Sequence, residues 1–146
     1  QSKAQKKYGW KTGTDKINIT PSSSLWMAGY GHRDHTAEGK YGELWVKVLA
    51  IEDAQGYQTV IVTSDLLGLP KKLSDGIRNA VNKKHGLEKS QLVLNSSHTH
   101  SAPVLGKSLF DIYPMNDQQR TDVEQYTNQL QNDIVASIGK ALSNMK

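Results

Sequence analysis

The sequence predicts an α/β fold: a mixed sheet in which a β-hairpin leads into a βαβ unit, followed by a long C-terminal amphipathic helix. Three observations carry this. Two runs rich in β-branched residues, 44–52 and 59–63, flank the turn Asp53-Ala54-Gln55-Gly56. Leu73, Ile77 and Val81 recur every four residues between the second run and the apolar stretch 91–95. Val123, Tyr126, Leu130, Ile134, Ile138 and Leu142 then form a stripe of three- and four-residue steps, as one face of a helix requires.

Taken in order, the elements justify themselves locally. Residues 1–14 read as a basic N-terminal arm and 15–146 as one domain. Residues 16–20 alternate polar and apolar, a short strand that Pro21 stops. The stretch 25–31 is apolar but broken by glycines, and opens into His32-Arg33-Asp34-His35. The two runs pair as an antiparallel hairpin, and the second is apolar enough at its centre to be buried on both faces. Pro70 suits the first turn of a helix and Gly86 its C-terminal cap. Strand, helix, strand in that order makes 59–63 and 91–95 parallel neighbours. Asn116 and Gln119 have the spacing of a capping box for the last helix.

Composition narrows the function. The 146 residues carry a net charge of +4, but the lysines are scattered and no arginine cluster is interleaved with aromatics, so nucleic acid is not the expected partner. There is no cysteine, which excludes disulfides and thiolate catalysis and leaves any metal to His, carboxylate or Tyr. No apolar stretch is long enough to span a membrane. The start Gln1-Ser2-Lys3 reads as a processed or trimmed terminus. Trp10, Trp26 and Trp45 are expected in the core or an interface.

The most informative segment is His98-Thr99-His100-Ser101-Ala102-Pro103, fed by the strand at 91–95. Strand ends in α/β folds are where ligands and chemistry collect. Histidines at i and i+2 share one side of an extended chain. Both rings then face one pocket, as metal ligand, general acid/base or anion donor. Asp65 follows the parallel strand 59–63, so it is expected near the pair. It either orients an imidazole or caps a turn or the helix near Pro70. Arg33 suits an anionic group and His32 a further ligand; otherwise they belong to an exposed polar loop. His85 needs no role beyond the helix dipole.

Ile17-Asn18-Ile19-Thr20-Pro21, Met27-Ala28-Gly29-Tyr30, residues 45–53, Val62-Thr63-Ser64-Asp65-Leu66 and Ser97-His98-Thr99-His100-Ser101-Ala102-Pro103 occur in that order. Together they resemble the N-terminal part of the neutral/alkaline non-lysosomal ceramidase family, nearest to its bacterial members. Ala102 stands where the family signature has glycine. The resemblance implies a zinc-dependent amidase that hydrolyses the N-acyl bond of ceramide, with a zinc-activated water attacking the amide carbonyl. It implies His98 as a zinc ligand and His100 beside the metal, steadying the developing oxyanion. The candidate site is thus His98 for metal, His100 and Asp65 for catalysis, and Arg33, His32 and Ser101 for substrate. The family's further ligands, a second His, a Glu and a Tyr, lie downstream. The chain is therefore expected to be a portion of a longer enzyme, with an incomplete zinc set and inactive alone. Its implied partners are a lipid amide or other small amide and the remainder of the enzyme. A homo-oligomer and a secreted or periplasmic location are also expected. The alternatives are a non-catalytic binding domain that keeps this fold without the metal site, and a metal-free hydrolase or a carbohydrate- or anion-binding module using Arg33, His98 and His100.

Overall fold

The computed structural model describes residues 9–146; the greater part of the basic arm, residues 1–8, lies outside the described residues. Strands β1 (Lys11–Asn18), β2 (Trp45–Glu52), β3 (Gln58–Ser64) and β4 (Leu92–Ser96) form one sheet in the order β1-β2-β3-β4. β1–β2 and β2–β3 are antiparallel and β3–β4 is parallel. Helix α1 (Lys71–His85) makes the crossover from β3 to β4, and α2 (Asp117–Ser143) follows. The hairpin and the βαβ unit are those the sequence predicts. No described helix is long and apolar enough to cross a membrane.

Each connection has a local cause. In the hairpin turn, Asp53 Oδ1 accepts the N–H groups of Gln55 at 2.9 Å and Tyr57 at 2.8 Å, the backbone mimicry that makes Asp a turn residue. Gly86 ends α1 at a left-handed φ of 71°, donating its N–H to Asn82 O at 2.8 Å. Asn116 and Gln119 exchange side-chain-to-backbone bonds of 2.9 and 3.0 Å, completing the capping box of α2.

Val46, Val48, Ala50, Val60, Val62 and Leu92 line one face of the sheet and are buried. Leu73, Ile77 and Val81 of α1 pack there together with Leu130, Ile134, Ile138 and Ala141 of α2. Both helices therefore cover the same face. This corrects the expectation that β3 is buried on both sides: Ile61 is half-buried and Thr63 exposed. Leu49, Ile51 and Ile61 form a half-covered apolar stripe on the other face, and Val93 of β4 is exposed beside it.

β1 starts earlier than the alternation at 16–20 predicts, so residues 11–14 belong to the sheet and not to the arm. The reason is tertiary. A Cβ at Gly13 would lie 2.0 Å from Ala141 O, so glycine alone lets β1 seat beneath the end of α2. Thr12 and Lys146 exchange both backbone hydrogen bonds at 3.2 Å on the outer edge. A second cluster joins Leu25, Trp26, Ala28, Val104, Tyr113, Met115 and Val123. Trp26 is buried there as expected, whereas Trp10 is exposed.

Candidate functional site

The parallel pair sets the site. β3 and β4 end side by side, and Ser97 N–H donates to Ser64 O at 2.9 Å, one rung beyond the strands. The loops that follow, 65–70 and 97–103, therefore leave the same edge of the sheet, where α/β folds place their ligands. His98 then turns the chain with φ 61°, a left-handed conformation uncommon for a residue with a side chain. Such strain persists only where surrounding contacts hold it.

Those contacts are visible. His98 Nδ1 lies 2.8 Å from Leu67 O. A carbonyl only accepts, so Nδ1 carries the proton and the ring ties one loop to the other. The ring itself is exposed. His100 meets it edge-on, with centroids 5.1 Å apart. The two imidazoles are neighbours as the spacing predicts, but through the left-handed turn at His98 and not through an extended chain.

His100 is gripped on its other side by a segment the sequence leaves unassigned. Ala28 N–H donates to Ala102 O at 2.8 Å and Val104 N–H to Trp26 O at 2.7 Å, a short antiparallel ladder around the Met27–Pro103 bridge. The ladder carries Gly29, at φ 112°, against the imidazole. A Cβ there would lie 2.4 Å from His100 Cγ, so only glycine fits. Gly29 is itself fixed, its N–H donating to the buried Tyr113 hydroxyl at 2.9 Å. Tyr30 packs edge-on to His100 at 4.7 Å. Ala102 fills a buried place in the ladder without a positive φ, so its methyl is accommodated where the resembled signature has glycine.

Of the remaining candidates, Arg33 joins the cluster. Its Nη2 donates to His100 O at 2.8 Å and its guanidinium sits 5.2 Å over the Tyr30 ring. Arg33 Nε and His100 Nδ1 are buried without a protein partner. His32 lies beside Tyr30, with ring centroids 5.7 Å apart, and is exposed. Ser101 is exposed next to the pair, its N–H turned back to Thr99 Oγ1 at 3.2 Å. Asp65 does not orient the imidazole. Its Oδ2 accepts Trp45 N–H at 2.9 Å and its own N–H donates to Trp45 O at 2.9 Å, closing the end of the β2–β3 pairing. Leu67 O takes the place expected for the carboxylate. Asp65 does not cap α1 either, whose N-terminus at Pro70 has no side-chain cap.

Beside the pair runs an apolar groove of about 310 Å3, lined by Ala28, Leu67, Leu69, Pro103, Leu105 and Leu109 among others. Leu67, whose carbonyl holds His98, is one of its lining residues. Among the described residues, no group of three or more His, Cys, Asp or Glu side chains converges to hold a metal ion. One sequence signal pointed to a part that was missed, Gly29 within Met27-Ala28-Gly29-Tyr30; the part played by Tyr113 emerges only from its burial in the second cluster.

Fold and site together define a mixed α/β domain with a histidine pair at the carboxyl ends of two parallel strands. This fold is shared with the structure of neutral ceramidase from Pseudomonas aeruginosa, at a TM-score of 0.79 and 24% identity, over 95% of this chain and 22% of that one. It is likewise shared with a structure described as ceramidase complexed with C2, at a TM-score of 0.76 and 23% identity, over 95% of this chain and 22% of that one. The chain thus spans 22% of the length of the solved structures it matches. No protein-family model and no curated protein matches the sequence.

Proposed function

We propose that the chain is the N-terminal part of a zinc-dependent amide hydrolase acting on a lipid amide, with His98 as one zinc ligand. The observation that carries this reading is the setting of His98. Its Nδ1–H is taken by Leu67 O, which leaves the Nε2 lone pair on an exposed ring. A metal-binding imidazole is prepared in this way, because the second hydrogen bond fixes the tautomer and raises the basicity of the ligating nitrogen.

The donor set fits one arm of a zinc site. Zinc takes about four ligands, so in this reading the others come from the remainder of the enzyme. When bound, zinc polarises an amide carbonyl and acidifies a water. The chain's own residues do the rest. Gly29, Tyr30 and the Arg33 bond to the His100 carbonyl hold the second imidazole 5.1 Å from the first. Arg33 acts by fixing the His100 peptide. His32 and Ser101 are exposed, and in this reading they contact the substrate. The groove beside Leu67 offers apolar surface to a hydrocarbon tail.

The test is zinc titrated into the isotopically labelled chain, read at the histidine rings. His98 Nε2 is expected to shift first, and His98→Ala to remove the response. In a protein that extends through the downstream ligands, zinc is expected to bind stoichiometrically and N-acylsphingosine to be cleaved. Equal zinc content with and without His98 overturns the reading.

A further inference from the structure

We infer that His98 and His100 are held in opposite neutral tautomers, so that one presents a lone pair to the site and the other an N–H donor. The first half follows from the Leu67 carbonyl, which obliges His98 to carry its proton on Nδ1 and leaves Nε2 bare. The second half follows from the seat of His100. Its Nδ1 is buried and has no hydrogen-bond partner, whereas the residue as a whole is only half-buried. A proton on Nδ1 would be an orphaned buried donor, the rarer and costlier kind of unsatisfied group.

Gly29 holds the ring in that seat. The direction in which its Cβ would grow reaches His100 Cγ at 2.4 Å and Nδ1 at 2.7 Å. The glycine's own hydrogen lies along that line. It presses on the face of the ring over Cγ, and so keeps the imidazole turned with Nδ1 toward the interior. Tyr113 keeps it aimed, since its hydroxyl accepts the Gly29 N–H at 2.9 Å. The proton of His100 therefore sits on Nε2, where water or a ligand oxygen accepts it. Within the proposed function, on which this consequence alone rests, His100 donates to the amide oxygen as charge builds there. It takes no proton from an attacking group through Nδ1.

The tautomers are read without zinc or substrate, from long-range nitrogen–proton correlation spectra of the labelled chain at a pH where both rings are neutral. His98 is expected to show protonated Nδ1 and bare Nε2, and His100 the reverse. A His100 ring that carries its proton on Nδ1, or averages the two forms as free imidazole does, overturns the inference. Gly29→Ala is expected to unseat the ring and move His100 alone toward the averaged pattern. An unchanged His100 pattern in the folded variant overturns the role of Gly29; if the variant does not fold, the native spectrum decides. Because zinc is absent throughout, a failure of this test is distinct from failure of His98 to bind zinc.

Discussion

The hydroxyl of Tyr113 accepts the backbone N–H of Gly29 at 2.9 Å, across a separation of 84 residues. That one bond links the chain after the histidine pair to the glycine that presses on His100. Tyr113→Phe leaves a Gly29 N–H without its partner in a half-buried place. It is expected to cost about 1–3 kcal/mol, measured by urea unfolding, and to broaden the His100 ring signals while sparing those of His85.

His98 tests how much strain the site holds. At φ 61° a side chain is disfavoured by about 1–2 kcal/mol and glycine is not. Both His98→Gly and His98→Ala lose the bond to Leu67 O, so their difference isolates the backbone. The glycine variant is expected to be the more stable by about 1 kcal/mol, and neither is expected to respond to zinc. Equal stability of the two would show that the turn is unstrained.

Asp65 closes the end of the β2–β3 pairing through its two bonds to the Trp45 backbone. Asp65→Ala removes the acceptor of Trp45 N–H and is expected to destabilise by about 1–3 kcal/mol. The zinc response at His98 should persist in the folded fraction. Loss of that response without loss of stability would return Asp65 to the site.

Gly13 is where β1 meets the end of α2. A methyl there would lie 2.0 Å from Ala141 O and 2.8 Å from Met145 N, both backbone atoms that cannot rotate away. Gly13→Ala is expected to cost about 1–3 kcal/mol. It should also expose Thr12 and Lys146 amides to hydrogen exchange.

Tyr126 sets an alkaline limit. Burial, with the Asp133 carboxylate adding to it, pushes its hydroxyl above the ordinary value of 10.0. It donates to Ile19 O at 2.6 Å. The folded state thus holds this proton more tightly than the unfolded chain does. Its contribution is fully present below pH 10.0 and is lost as pH rises beyond that value. Tyr126→Phe is expected to lower stability by about 1 kcal/mol near neutrality. Its unfolding midpoint should meet that of the native protein as both are followed above pH 10.0. A constant gap across that range would contradict this direction of the linkage.

Much of the fold was legible because it rests on local rules. The four-residue recurrence of Leu73, Ile77 and Val81 became the buried face of α1. The Asn116–Gln119 box starts α2 as its spacing requires. The runs on either side of Asp53 pair as a hairpin. β1 was misplaced because Lys11–Asp15 has no apolar periodicity; its strand is imposed by pairing with β2 and by the close fit of Gly13. Half of β3 was misread because an apolar run does not say how many layers will cover it.

The same division runs through the site. Residue types and their order were enough to single out the two imidazoles and the strand edge that carries them, since parallel strands must deliver their loops to one side. Which atom holds His98, what presses on His100 and where Asp65 points were decided only by tertiary contacts. Leu67 O, Gly29 and Trp45 N–H lie 31, 71 and 20 residues from their partners. No local pattern encodes a contact over such distances, because packing of the whole chain chooses the partner.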